Sequence, residues 1–207
     1  MTRILVIRHP ETLANAERRL IGTTDSPWTE LGRRQARALK MVVDEVSPRE
    51  VWSSPAPRAL RAAHAATPCT VPLRIVEELR EIDFGLAEGL TFDEASRAGL
   101  HLQYRPSAPS PSVRHDPLRA EDGEIAPGGE DWPSFQARVD ALRDALTEAS
   151  GTVCVFTHGG TGRAVIAALL ALPLDAMWSF ALPTAGIAQV RLDEGLGTLE
   201  KLWAPQT

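Results

Sequence analysis

Residues 3–12 read Arg-Ile-Leu-Val-Ile-Arg-His-Pro-Glu-Thr and combine an apolar run with a basic pair. Within Arg3–Ile7 the residues Ile-Leu-Val-Ile form an unbroken aliphatic run, a pattern typical of a strand that is buried on both faces. The run ends in the basic pair Arg8 and His9, and Pro10 disfavours helical geometry at His9. The sequence therefore predicts a buried strand that carries an arginine and a histidine to a site at its C-terminal end.

Similar apolar runs alternate with segments of helical periodicity along the rest of the chain. This alternation predicts an α/β protein, a three-layer α/β/α sandwich with a mostly parallel central sheet, in a single domain over residues 1–207. Thr29 is the predicted N-cap of the first long helix. The further predicted strands cover residues 50–53, 73–76, 152–157, 187–192 and 198–203, and the predicted helices cover residues 33–46, 56–66 and 161–172.

Two of the predicted strands are followed directly by a histidine. His9 follows the first strand, and His158 follows the strand at residues 152–157. Ligands of α/β sheets bind outside the carboxyl ends of the strands. We therefore expect both histidines to face the same crevice.

Residues 101–129 break the alternation of strands and helices. The segment holds five prolines and little periodic apolar pattern, and it is too long for a plain connection. Because strands resume after it, the segment is predicted to be a surface insertion over the active site rather than a domain boundary.

The composition disfavours several classes of function. A formal net charge of -5 over 207 residues gives no sequence-wide basic field, which argues against a dedicated surface for nucleic acid or an anionic membrane. The longest apolar run, Ala164–Leu174, contains a proline and is far shorter than the roughly 20 residues of a membrane-spanning helix. No signal-peptide pattern is visible, so we expect a cytoplasmic protein. Cys69 and Cys154 have neither a pairing pattern nor metal-ligand spacing.

Separate blocks of sequence, in a fixed order, connect the N-terminal motif to the rest of the chain. The blocks are Arg8-His9 with Asn15, then residues 31–36 (Leu-Gly-Arg-Arg-Gln-Ala), 53–59 (Ser-Ser-Pro-Ala-Pro-Arg-Ala), 79–85 (Leu-Arg-Glu-Ile-Asp-Phe-Gly) with Glu88-Gly89, 127–130 (Pro-Gly-Gly-Glu), and 157–160 (Thr-His-Gly-Gly) with Arg163. With these blocks the sequence resembles the histidine phosphatase superfamily, which includes the phosphoglycerate mutase-like enzymes. The resemblance extends along nearly the whole chain.

The resemblance implies a phosphoryl-transfer site, and the chemistry of the residues agrees with it. The resemblance implies that His9 is the nucleophile, and a neutral imidazole at a strand end can attack phosphorus. Arg8 and Arg58 would hold the phosphoryl oxygens, where negative charge concentrates in the transition state. Because His158 precedes a helix, its ring and the backbone N–H of Gly159 can both point at an anion.

The leaving group needs an acid that can also act as a base for water. The resemblance gives this role to Glu81, with Asp83 and Glu88 as lesser alternatives. Pro10 departs from the Gly or Ala usual in the family and removes a backbone donor beside the nucleophile. We expect no metal and no cofactor, because the arginines supply the positive charge. The residues expected to bind phosphate or substrate are Asn15, Gly159, Thr12 and Gly22.

The leading hypothesis is a metal-independent phosphomonoesterase that hydrolyses a small phosphorylated metabolite through a phosphohistidine. A 2,3-bisphosphoglycerate-dependent phosphoglycerate mutase is one alternative, although Arg105, Arg114 and Arg119 do not match the basic cluster of the glycolytic mutases. A non-catalytic binding member of the same fold is another, and retention of the full site argues against it. The expected partner is a small-molecule phosphate monoester. A homodimer is compatible with the sequence, which leaves the substrate open.

Overall fold

The computed structural model describes residues 2–102 and 123–207. Most of the predicted insertion, residues 103–122, lies outside the described residues, and so do Arg105, Arg114 and Arg119. In the part of the chain that is described, no helix is both long and apolar enough to cross a lipid bilayer.

A six-stranded mixed sheet forms the centre of the molecule. Its strands are β1 (Thr2–Arg8), β2 (Glu50–Ser53), β3 (Leu73–Ile75), β4 (Gly151–Thr157), β5 (Ile187–Asp193) and β6 (Leu196–Trp203). They lie in the order β3-β2-β4-β1-β5-β6, in which the first four are parallel. β5 pairs antiparallel with β1, and β6 pairs antiparallel with β5. The prediction of an α/β fold with a mostly parallel sheet is confirmed.

A tight turn explains why β6 runs antiparallel to β5. Glu194 and Gly195, between β5 and β6, have positive φ angles of 50° and 82°. Two consecutive residues of this conformation are typical of a two-residue hairpin turn, which reverses the chain at once. The sequence predicted both strands and the turn, but not their direction relative to β1.

Helices cover both faces of the sheet. In the described residues they are α1 (Leu13–Ala16), α2 (Glu30–Val46), α3 (Pro57–Ala66), α4 (Phe92–Arg97), α5 (Trp132–Thr147) and α6 (Gly159–Leu169). Leu5 and Ile7 of β1 pack in one apolar cluster with α2 and α3, whereas Ile4 and Val6 pack in another with α5 and α6. All four side chains are fully buried, as the unbroken apolar run predicted.

The N-cap residues set where α2 and α6 begin. The Thr29 side chain accepts a hydrogen bond from the backbone N–H of Gly32, so α2 begins at Glu30, three residues before its predicted start. α6 begins at Gly159, two residues earlier than predicted, which makes His158 its N-cap. Sequence analysis assigned no element to α5, although the helix buries residues at spacings of three and four: Trp132, Phe135, Val139, Leu142 and Leu146.

Candidate active site

His9 lies just beyond the end of β1 and is held on both sides by backbone contacts. Its N–H donates to the carbonyl of Thr157 (3.0 Å), and its own carbonyl accepts from the N–H of Ala185 (3.1 Å). The ring atom Nδ1 lies 2.7 Å from the carbonyl oxygen of Pro10. Because a carbonyl only accepts hydrogen bonds, Nδ1 carries the proton, and Nε2 of the neutral ring keeps its lone pair.

The surroundings of His9 favour this neutral form. Burial lowers its pKa well below the usual 6.5, and the positive charges of Arg58 and Arg8 lower it further. The hydrogen bond to Pro10 opposes the shift without reversing it. A neutral imidazole with a free lone pair is the form that can attack phosphorus.

His158 meets His9 edge to face. The ring centroids are 5.2 Å apart and the ring planes make an angle of 64°, so the two strand ends do bring the histidines together. His158 is fully buried, and burial, Arg58, His9 and Arg8 all lower its pKa. Its Nε2 lies 2.8 Å from the hydroxyl oxygen of Ser54. Its Nδ1 is buried and has no hydrogen-bond partner among the described residues.

Arg8 is positioned by a loop and by the start of α6. Its Nη1 donates to the carbonyl of Leu182 at 2.9 Å. A Cβ atom on Gly159 would lie only 3.1 Å from the guanidinium carbon of Arg8. Glycine at this position therefore allows the helix N-terminus and the Arg8 guanidinium to approach each other closely.

Arg58 lies at the centre of the site and is 1% exposed. Its guanidinium donates to the carbonyl oxygens of Thr24 (2.7 Å), Gly22 (2.9 Å) and Ile21 (3.1 Å). Burial lowers its pKa, an effect that Glu81 and other nearby carboxylates oppose, yet an arginine remains protonated in proteins. The Arg58 guanidinium is a fixed positive charge, and its hydrogen bonds also hold the loop formed by residues 21–24 in place.

Glu81 is bound to the N-terminus of α6. Its Oε1 accepts from the backbone N–H groups of Ile82 and Thr161 (both 3.0 Å) and lies 3.2 Å from the Thr161 hydroxyl. Its Oε2 accepts one hydrogen bond, from the N–H of Gly160 at 2.9 Å. Oε2 therefore has capacity left to carry a proton to a substrate oxygen.

Arg138 of α5 fixes the segment that carries Glu81. Its Nη1 donates to the carbonyls of Glu78 (2.8 Å) and Arg80 (3.0 Å). Its other nitrogens grip the Glu130 carboxylate in a bidentate pair at 2.6 and 2.8 Å, with both side chains nearly buried. Sequence reasoning missed Arg138 and Ser54 as contributors to the site. Glu130 and Ser54 stood in recognised blocks, but no local pattern indicated their partners.

Three other predicted residues have structural partners of their own. Thr12 caps α1, and its backbone N–H and hydroxyl both contact Oδ1 of Asn15 at 3.1 and 3.0 Å. The side-chain amide nitrogen of Asn15, Nδ2, takes no part in these hydrogen bonds. The N–H of Gly22 donates to the carboxylate of Glu88 at 2.9 Å, and a Cβ on Gly22 would overlap the carbonyl of Ile82. Phosphate binding by Thr12, Asn15 and Gly22 stays a prediction.

A cavity of about 460 Å³ opens beside Glu81. Its wall includes Gly22, Thr23, Arg80, Glu81, Asp83 and Glu130. The cavity leaves open space beside the Glu81 carboxylate. Within residues 2–102 and 123–207, no group of three or more His, Cys, Asp or Glu side chains is arranged to hold a metal ion.

Comparison with known proteins decides the family. The sequence profile described as histidine phosphatase superfamily, branch 1, matches residues 4–204. The chain belongs to the histidine phosphatase superfamily. The resemblance carried by the sequence blocks is thus confirmed.

Relatives within the histidine phosphatase superfamily are similar over nearly their whole length. The structure of phosphoserine phosphatase from Entamoeba histolytica in complex with 3-phosphoglyceric acid has a TM-score of 0.77 and 26% identity, covering 100% of this chain and 98% of that chain. The mycobacterial glucosyl-3-phosphoglycerate phosphatase, in complexes with VO3, has a TM-score of 0.78 and 27% identity, covering 99% of each chain. A Yersinia pestis protein named "Probable phosphoglycerate mutase GpmB" is 28% identical over 94% of this chain and 86% of its own length.

Proposed function

We propose that this histidine phosphatase hydrolyses phosphate monoesters of small metabolites, with Nε2 of His9 as the nucleophile. The observation that carries the proposal is the contact between Nδ1 of the buried His9 ring and the Pro10 carbonyl. The ring is buried and neutral, its proton is held by the Pro10 carbonyl, and its lone pair is on Nε2. Arg8 and Arg58 provide fixed positive charge close to this ring, which is where a phosphate dianion would need it.

In the first half-reaction, Nε2 of His9 forms a bond to phosphorus as the bond from phosphorus to the ester oxygen breaks. The leaving oxygen takes a proton from Oε2 of Glu81, the carboxyl oxygen with spare hydrogen-bonding capacity. The products of this step are the free alcohol and a phosphohistidine whose oxygens face Arg8 and Arg58. The guanidinium groups stabilise the charge that concentrates on these oxygens in the transition state.

In the second half-reaction, water attacks the phosphorus of the phosphohistidine. Glu81, now a carboxylate, accepts a proton from this water, and the bond from phosphorus to Nε2 breaks. Inorganic phosphate leaves and both residues return to their starting states. One carboxyl group thus serves both half-reactions.

The enzyme class agrees with the relatives, which include phosphatases named for phosphoserine and for glucosyl-3-phosphoglycerate. The substrate of this chain is therefore assigned to the class of small phosphorylated metabolites. A cytoplasmic location and a homodimer stay predictions, which cell fractionation and light scattering of the purified protein would check.

The test is hydrolysis of p-nitrophenyl phosphate in EDTA by the wild type and by His9→Ala. We expect hydrolysis by the wild type and a loss of about 10³-fold or more in kcat for the variant, as for other lost nucleophiles. His64→Ala is the matched control, because His64 is an exposed histidine on α3. Equal activity in His9→Ala and the wild type would refute the nucleophile, and an inactive wild type would favour a binding protein.

A mutase is the second candidate, favoured by the similarity to the Yersinia pestis relative. Both activities use a phosphohistidine, so the two are separated by the acceptor of the phosphoryl group. Incubation with 3-phosphoglycerate and 2,3-bisphosphoglycerate would give 2-phosphoglycerate for a mutase. We expect release of inorganic phosphate instead.

A further inference from the structure

Ser54 is a buried serine whose hydroxyl touches the second histidine of the site. It follows the last residue of β2, is 0% exposed, and lies 2.8 Å from Nε2 of His158 through its Oγ. The same Oγ lies 3.2 Å from the backbone nitrogen of Ala56. The Ser54 hydroxyl takes no direct part in either half-reaction.

The direction of these two hydrogen bonds follows from their donors. The N–H of Ala56 can only donate, so Oγ of Ser54 is the acceptor of that bond. The hydroxyl hydrogen then needs an acceptor of its own. Among the described residues that acceptor is Nε2 of His158. Nε2 therefore carries a lone pair, and the single proton of a neutral ring resides on Nδ1.

We propose that Ser54 fixes the tautomer of His158, so that its Nδ1–H is the donor that binds an oxygen of the phosphoryl group transferred to His9. The proposal rests on the proposed function. Nδ1 is buried without a partner among the described residues, and the ring stands edge-on to His9 at a centroid distance of 5.2 Å. When the substrate is bound, one of its phosphoryl oxygens provides the acceptor that the Nδ1–H of His158 needs.

The opposite tautomer would not serve the reaction. If Nε2 carried the proton, it would donate to Ser54, and the Ser54 hydrogen would lose its acceptor in the described surroundings. The lone pair on Nδ1 would then face the phosphoryl oxygens and repel them. The lowered pKa of His158 supports a neutral ring, for which the choice of tautomer decides between attraction and repulsion.

The direct test is the tautomer itself, read from long-range ¹H–¹⁵N correlation spectra of enzyme labelled with ¹⁵N-histidine near neutral pH. His158 is assigned through the signal that disappears in His158→Gln. We expect the wild type to show His158 protonated on Nδ1. Ser54→Ala should shift His158 towards the Nε2–H form and leave the signals of His9 unchanged.

Ser53→Ala is the matched control, because Ser53 is equally buried and adjacent but donates to the Ser54 carbonyl at 2.9 Å. With p-nitrophenyl phosphate we expect kcat to fall about tenfold in Ser54→Ala, while Ser53→Ala stays close to the wild type. Ser54→Thr, which keeps a hydroxyl, should retain the Nδ1–H signal.

A wild-type spectrum with His158 protonated on Nε2 would overturn the proposal, even if Ser54→Ala did not fold. An unchanged His158 signal in a folded Ser54→Ala protein would overturn it as well. These outcomes are separate from a failure of the proposed function, which is decided by the activity of His9→Ala and not by any tautomer.

Discussion

A backbone carbonyl and a serine hydroxyl decide which nitrogen of each site histidine is available. The Pro10 carbonyl holds the proton of His9 on Nδ1, and the hydroxyl of Ser54 contacts Nε2 of His158. The positions of both histidines were predictable, because each follows an apolar run that ends at the same edge of the sheet. The protonation of His158 was not predictable, because its partner Ser54 lies 104 residues away in the sequence.

Replacement of Glu81 should affect poor leaving groups most. Glu81→Gln keeps one acceptor oxygen, enough for the N–H groups of Ile82 and Thr161, but its amide has no acidic proton to give to the leaving oxygen. We expect kcat/KM for alkyl phosphates to fall about 10²- to 10⁴-fold, with a smaller loss for p-nitrophenyl phosphate. The measurement is the dependence of kcat/KM on the pKa of the leaving alcohol. Glu77→Gln, at an exposed glutamate, is the control, and an unchanged dependence would refute the acid role.

Acidification should destabilise the protein through its buried histidines. The folded-state pKa values of His9 and His158 lie below 6.5, so below that pH the unfolded chain binds more protons than the folded one. Stability is therefore lost as the pH falls from about 6.5, by up to about 1.4 kcal/mol per pH unit for each histidine.

Urea unfolding at about pH 7, 6 and 5 would measure this slope. His158→Gln should reduce the slope by up to about 1.4 kcal/mol per pH unit, which is the contribution of one proton. His64→Gln, at an exposed histidine, should not change the slope. The same slope in His158→Gln as in the wild type would contradict the neutral state of this ring.

Helix α5 contributes to the site through one side chain, that of Arg138. The helix packs its apolar residues on the sheet, and Arg138 reaches from it to the carbonyls that precede Glu81. The apolar spacing of α5 is present in the sequence, but it comes soon after the proline-rich insertion, where the alternation of strands and helices is broken. The contact of Arg138 with residues 78–80 depends on packing between distant elements, which no local pattern reports.

Loss of Arg138 should therefore disturb both stability and the placement of Glu81. Arg138→Gln leaves Glu130 nearly buried without its partner, and we expect a loss of about 1–3 kcal/mol in the free energy of unfolding. We also expect kcat for alkyl phosphates to fall about tenfold, because a slightly misplaced acid transfers its proton less well.

Arg143→Gln on the same helix provides the comparison. Arg143 pairs with Asp140 and Asp144 at exposed positions, and exposed pairs contribute at most about 1 kcal/mol. Unfolding curves and alkyl phosphate kinetics for both variants are the measurements. If Arg138→Gln behaved like Arg143→Gln in both, the positioning role of Arg138 would be wrong.

The protein is acidic as a whole, but its candidate active site is rich in positive charge. The formal net charge is -5, yet two arginines converge on His9 from β1 and α3. This convergence was predictable, because β1, β2 and β4 are parallel and deliver their C-terminal ends to one edge. Residues 101–129, the insertion predicted to lie over the active site, are mostly outside the described residues. Family and chemistry were therefore within reach of the sequence, and the substrate was not.

The phosphohistidine on His9 can be observed directly. Enzyme mixed with ³²P-labelled substrate, quenched in alkali within one turnover and digested should yield a single labelled peptide that contains His9, with the label released by acid. Arg61→Gln, at an exposed arginine on α3, should give the same peptide. Label on any other residue, or a pre-steady-state burst of alcohol that persists in His9→Ala, would contradict the account.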